Sequence, residues 1–373
     1  MMTVSSICEV TGAGVQITAV AVFGASDALE RLSVEGRNVV RRYLHNAPET
    51  TKNPVAGTIA ILELDPRDPV QPLREMVGKP PHMMTAYREP KVTVISDSEH
   101  IVSTDVRYMV VEEFKHDVFI DPVSGNGLTY WLYTPENMKA GERYPLVTFI
   151  HDAGACSEDE RTGLLQGNGG IVWASKNWQA ENPCFVLVPY YAHAIVNDNS
   201  ECTWEVDATN ALIDTLAEVN PIDKNRLYLT GQSMGAMTSC ELLSRHPEKW
   251  AGAYLVAGQW EPERMVSAKE ANVWYVVSEG DKKAYPGMKA IAAVWQREGA
   301  KITWGSYAAT DAEVSAKAQE LVAEGNHLIC TVYTGDSVIP EGYPRFPGVH
   351  HITTWIHAYN VDSIKEWLFR CSK

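Results

Sequence analysis

The sequence predicts a small all-β sandwich followed by an α/β domain built on a mostly parallel sheet. Three observations predict it. At 373 residues the chain is longer than one ordinary domain. Short β-rich runs separated by turn-forming stretches fill the first hundred or so residues. From about Val110 the pattern changes to strands alternating with helices, as expected for a sheet covered on both faces. The expected division is a sandwich over 1–108 and an α/β domain over 109–373.

In the first part, Val15 to Phe23, Arg37 to Leu44, Gly57 to Leu64 and Lys91 to Ile95 read as strands. Asp65 to Pro90 holds Pro66, Pro69, Pro72, Pro80, Pro81 and Pro90. Such a stretch cannot be a regular helix or a central strand, so it is expected to be a long crossover within the sandwich. In the second part, strands are expected at Glu113 to Ile120, Leu128 to Thr134, Pro145 to His151, Pro183 to Pro189, Arg226 to Thr230, Ala251 to Val256, Val273 to Val277 and Leu328 to Tyr333. Helices are expected at Asp207 to Val219, Ser233 to Arg245, Pro286 to Glu298, Asp311 to Glu324 and Val361 to Phe369. A further β-like run, Lys301 to Tyr307, leaves the order of the last strands open.

With 45% hydrophobic and 21% charged residues the chain can bury a large core, which excludes disordered, collagen-like and disulfide-stapled classes. A net charge of −15 repels phosphate backbones and anionic head groups, so neither nucleic acid nor a membrane surface is an expected partner. The longest apolar runs, such as Pro183 to Tyr190, fall far short of the roughly 20 residues that span a bilayer. Met1 to Ala13 lacks the basic and apolar regions of a secretory leader. The expected location is cytoplasmic, with secretion the alternative for a chain whose leader has been removed. Seven scattered cysteines with no CxxC pair imply neither a zinc site nor a complete disulfide framework. GNGG at 167–170 lacks the strand-loop-helix setting of a phosphate site, so no cofactor and no metal is expected.

The most informative segment is NRLYLTGQSMGAMTSC, 225–240. A β-rich run ends in Gly231-Gln232-Ser233-Met234-Gly235 and passes straight into a helical pattern. GxSxG in that setting is a nucleophile elbow, in which flanking glycines relieve a tight turn and leave the serine hydroxyl exposed. The three fixed residues alone would arise by chance in roughly one chain in ten of this length, so the strand-turn-helix context carries the weight. The plainer reading is a glycine-rich turn with a capping serine.

A serine needs a base, and the base an orienting acid; behind an elbow the chain order is serine, acid, histidine. Downstream histidines are His246, His327, His350, His351 and His357. His246 closes the elbow helix, and His327 and His357 lie in runs that suit packing. GVHHITTW, read as a loop before the final helix, offers His351 first and His350 second. For the acid, NVWYVVSEGD ends a strand with Asp281, and Glu279 is the alternative. Acyl transfer also needs two N–H donors for the oxyanion. Met234 and Ala153 are the candidates, the latter in the loop His151-Asp152-Ala153-Gly154, with His151 expected to tie that loop down.

These segments, with FVLVP (185–189), QGNGGIVWAS (166–175), IDKNRLYLTGQSMGA (222–236) and the terminal HITTWIHAYNVDSIKEWLF, resemble esterases of the polyhydroxybutyrate depolymerase and feruloyl esterase-like group. The chain is similar to bacterial members that carry an immunoglobulin-like domain before the hydrolase domain. The resemblance implies an α/β-hydrolase fold with a mostly parallel eight-stranded sheet, and a triad of Ser233, Asp281 and His351. One departure stands out: relatives usually read His-Gly-Ala-Gly where this chain has HDAG. Asp152 places a carboxylate near the oxyanion loop, which disfavours an anionic intermediate unless it is paired or turned away.

Trp173, Tyr190, Tyr191, Trp204 and Trp260 follow strands or lead into helices and are candidates to border a substrate cleft. The leading expectation is a serine esterase acting through an acyl-enzyme on neutral small or aromatic esters, the substrate being a small molecule or linked to a polymer. A prolyl-oligopeptidase-like peptidase and a non-catalytic binding protein are the alternatives. An exposed sandwich edge offers a route to pairing with a second copy of the chain.

Overall fold

A computed structural model of the chain describes residues 2–79, 82–97 and 99–373, and it divides into two compact units, Met1–Glu113 and Phe114–Lys373. The first unit contains β1 (Thr3–Thr11), β2 (Gly14–Phe23), β3 (Leu32–Val34), β4 (Val39–His45), β5 (Ile59–Leu64), β6 (Arg74–Lys79), β7 (His82–Tyr87), β8 (Thr93–Ser96), β9 (Glu99–Val102) and β10 (Asp105–Tyr108). One sheet runs β10-β1-β2-β5-β4 and a second β3-β8-β9.

Alternation along β2 explains the packing. Val20 and Val22 join Val4, Leu62 and Val94 in one core, and Val94 comes from the smaller sheet, which makes the unit a sandwich. Ala19 and Ala21 point the other way and meet Ile7, Tyr43 and Ile61. Asp65 to Pro90 is corrected from a bare crossover to one that contains an antiparallel hairpin, β6 with β7. Pro66, Pro69, Pro72 and Pro90 flank that hairpin, which joins neither larger sheet; Pro80 and Pro81 lie outside the described residues.

The second unit contains β11 (Lys115–Ile120), β12 (Gly127–Tyr133), β13 (Tyr144–Ile150), α1 (Thr162–Leu165), α2 (Lys176–Glu181), β14 (Phe185–Pro189), α3 (Trp204–Val219), β15 (Ile222–Gln232), α4 (Met234–Arg245), β16 (Gly252–Val256), β17 (Val273–Ser278), α5 (Ala284–Arg297), β18 (Ile302–Tyr307), α6 (Val314–Ala323), β19 (Leu328–Tyr333), α7 (Val349–Ala358) and α8 (Asp362–Arg370). Its sheet runs β11-β12-β14-β13-β15-β16-β17-β19-β18. β12 pairs antiparallel with β11 and β14, and every other pairing is parallel. Among the described residues the sheet has nine strands rather than the expected eight, because the Ile302–Tyr307 run pairs with β19 as an edge. β13, β14, β16, β17 and β19 are buried along their whole length, as strands covered on both faces must be.

From β13 the chain steps to one side for β14 and back across to the other for β15. That reversal leaves the carboxyl ends of β13 and β15 side by side, with Ile150 opposite Gly231. In open α/β sheets a crevice beyond strand ends at such a reversal is where ligands bind. GVHHITTW is corrected from a loop to the first turns of α7. Gly348, at φ +92°, opens the helix, and Thr353 and Thr354 satisfy their buried hydroxyls on the carbonyls of Val349 and His350. Among the described residues no helix is long and apolar enough to cross a membrane.

Candidate active site

Ser233 stands between β15 and α4 at φ 52° and ψ −117°, a conformation that costs a non-glycine residue about 1–3 kcal/mol. The neighbouring glycines make the turn possible by close approach. A Cβ on Gly235 would stand 1.8 Å from the Ile150 carbonyl oxygen, and one on Gly231 would stand 2.7 Å from the same atom. The Ser233 N–H donates to the Val256 carbonyl (2.9 Å), which fastens the turn to β16. The side chain is left half-buried at the strand ends.

The Ser233 hydroxyl meets His351 Nε2 at 2.7 Å, and His351 Nδ1 meets Asp281 Oδ2 at 2.5 Å. His351 lies in the first turn of α7, and the Trp355 ring one turn on packs edge-on against the imidazole. Asp281 follows β17 and accepts the N–H groups of Lys283 and Ala284 (2.9 Å each) on its other oxygen. Burial opposes charge on this carboxyl, but the hydrogen bond and charge of His351, with those two N–H groups, outweigh it and hold Asp281 below its ordinary value. Of the open alternatives, Glu279 instead accepts the Gly335 N–H, and His350 turns to Ser278. His246 caps α4, while His327 and His357 bond the carbonyls of Lys269 and Val338.

The N–H groups of Met234, the residue after the serine, and of Ala153, in the loop that leaves β13, meet no protein acceptor among the described residues. Met234 begins α4, so its N–H also carries the positive end of the helix dipole. Ala153 begins a single 3-10 turn, Ala153–Ala155, directly after the loop leaves β13. His151 is fully buried and holds this loop: its Nδ1 bonds the Asp152 carbonyl (2.9 Å) and its Nε2 accepts the Tyr191 N–H (3.2 Å). Asp152, the departure noted in the sequence, is 4% exposed and accepts the Gln232 amide at 3.0 Å. Gln232 also donates to Gln166 (2.8 Å), so the loop is anchored to the residue just before the nucleophile. Sequence reasoning missed this link, which joins positions 80 residues apart.

The aromatic candidates separate by burial. Trp173 is corrected to a core residue: it is wholly buried, stacks on Phe369 and donates to the Gly169 carbonyl. Trp260 is likewise buried, donating to Glu241, and Tyr191 bonds Thr209 in the interior. Large rings satisfy both apolar burial and one polar atom there, which is why their sequence neighbourhood misleads. Tyr190 and Trp204 remain half-buried, Tyr190 bonding the Ser157 carbonyl at 2.6 Å. Two shallow depressions of about 320 and 250 Å³ lie at the amino ends of β13 and β15, away from Ser233. The site is therefore identified by its converging side chains, not by cavity size.

The family model for Esterase matches residues 125–365, and the Esterase Ig-like N-terminal domain matches residues 3–108. Among solved structures the chain is similar to a thermostable esterase, at 21% identity over 100% of both chains with a TM-score of 0.78. That likeness shows a shared two-part fold. A ferulic acid esterase is 10% identical over 69% of this chain and 97% of its own, with a TM-score of 0.44. A substrate-bound fluorophosphonate-binding serine hydrolase of Staphylococcus aureus is 12% identical over 68% and 96%, with a TM-score of 0.38. No curated protein matches the chain. With the family match spanning well over half its length, the chain belongs to the Esterase family and is a carboxylic ester hydrolase with an Ig-like N-terminal domain.

Proposed function

We propose that the protein hydrolyses neutral carboxylic esters, small or aromatic, through an acyl-enzyme formed on Ser233. His351 Nε2 takes the hydroxyl proton as Ser233 Oγ bonds the ester carbonyl carbon, and the π pair moves onto the carbonyl oxygen. The N–H groups of Met234 and Ala153 receive that oxyanion. Its collapse breaks the bond to the alcohol oxygen, which takes the proton from His351. Water then attacks the acyl group with His351 again as base, releasing the acid and restoring the serine. Asp281 holds the imidazole in the tautomer that presents Nε2 to Ser233.

The observation that carries this reading is the unbroken line from Ser233 Oγ through His351 to Asp281. The preference for neutral substrates is supported by Asp152, a carboxylate within the oxyanion loop. Hydrolysis of p-nitrophenyl acetate and butyrate is the test: Ser233→Ala is expected to lower kcat at least about a thousandfold and to abolish labelling by a fluorophosphonate probe. Activity retained in that variant rejects the assignment. Asp152→Asn is expected to raise kcat/KM on an anionic hemisuccinate ester relative to a neutral one by about threefold to tenfold, roughly 1 kcal/mol of relieved repulsion.

A further inference from the structure

Beside the line through His351 runs a second one through its neighbour, and it ends on the turn that carries Asp281. His350 Nδ1 meets the Ser278 hydroxyl at 3.0 Å, and its Nε2 meets Asp336 Oδ1 at 3.2 Å. Asp336 is itself paired with Arg345. Ser278 closes β17, and the turn it begins is tight: the Gly280 N–H approaches Ser278 Oγ at 3.4 Å and the Asp281 N–H donates to the Ser278 carbonyl at 3.0 Å. The His350 ring lies directly over this turn. A Cβ on Gly280 would stand 2.3 Å from the ring's Cγ and 2.4 Å from Cδ2 and Cε1.

The hydrogen-bond directions are mutually consistent. The Asp336 carboxylate can only accept, so His350 Nε2 carries the proton; in the neutral imidazole Nδ1 then accepts from the Ser278 hydroxyl, whose oxygen is free to accept the Gly280 N–H. Adjacent residues of a helix diverge by about 100°, so one turn of α7 reaches the segment Ser278–Asp281 with two side chains from two directions. His351 takes the carboxylate and His350 takes the backbone turn that aims it.

We propose that His350, braced by Asp336, is a positioning residue that fixes the Asp281 turn against α7 and so sets the alignment of Asp281 with His351. This rests on the acyl-enzyme reading above. It touches no reacting atom, and its effect passes through Asp281. Misalignment of a triad by a fraction of an ångström slows chemistry without weakening substrate binding.

The test compares His350→Leu, which fills the volume without bonding, with His350→Asn, whose amide falls where Nδ1 sits. Each is measured on p-nitrophenyl acetate and by the rate of fluorophosphonate labelling, with thermal unfolding followed in parallel and Ser233→Ala as a control. His350→Leu is expected to lower kcat and the labelling rate together by about tenfold or more, about 1.4 kcal/mol, with KM within about twofold of wild type. His350→Asn is expected to recover most of the loss, and Asp336→Asn to give a smaller loss of the same kind. A His350→Leu enzyme with wild-type kcat overturns the proposal, as does a loss that tracks the fall in melting temperature and is not recovered by asparagine. An active Ser233→Ala control would instead reject the acyl-enzyme reading itself.

Discussion

At the residue scale, Asp281 links the site to the stability of the fold. Its carboxyl titrates below the ordinary value of 3.8, because contacts that favour the charged form outweigh its burial. A group whose folded value is depressed stabilises the folded state above its unfolded value, and that contribution is lost as pH falls through the lower, folded one. Asp281→Asn removes it. The difference in urea-unfolding free energy between wild type and Asp281→Asn is expected to be full above about pH 5 and to shrink below about pH 4. A difference that grows on acidification would contradict the assigned direction. Asp152 illustrates the opposite lesson, since a charge that reads as a handicap from its sequence position is held by Gln232, away from isolation. Side-chain pairs formed across 80 residues leave no local pattern to read.

At the element scale, the elbow depends on backbone contact between β13 and the first turn of α4. Gly235→Ala would drive a Cβ to 1.8 Å from the Ile150 carbonyl oxygen, a backbone atom fixed by sheet pairing. Destabilisation of about 3 kcal/mol is expected, with fluorophosphonate labelling lost even at temperatures where the variant stays folded. Wild-type labelling in a folded Gly235→Ala protein would show that the turn tolerates displacement. The elbow was legible because its signal is local: glycines, serine and the change from strand to helix all fall within 225–240. The buried β-branched strands were legible for the same reason. β1 was not, since Ser5, Ser6 and Cys8 are buried there and polar positions such as Ser6 are satisfied by a distant partner, Ser103. The first turns of α7 read as a loop in sequence because His, Thr and Gly are weak helix formers, and tertiary packing of Val349, Thr353 and Trp355 supplies what propensity does not. The hairpin β6–β7 lay hidden between prolines that bound its strands rather than break them.

At the scale of the whole molecule, the chain divides into two compact units, each with buried apolar residues of its own, so its unfolding need not be a single transition. Val20 is fully buried in the sandwich and contributes only to that unit's core. Val20→Ala leaves a small void there, expected to cost about 2 kcal/mol and to lower the melting temperature of a unit of roughly a hundred residues by about 10 °C. The labelling rate of Ser233 below that transition should stay at the wild-type value, because β13, β15, β17 and α7 hold its partners within the second unit. Calorimetry with fluorophosphonate labelling read at each temperature separates the outcomes. An early transition that leaves Ser233 reactive means the α/β unit keeps its triad geometry on its own core. Loss of labelling at the shifted sandwich transition means instead that the Ig-like unit sustains the geometry around Ser233, and that catalytic competence belongs to the two units together.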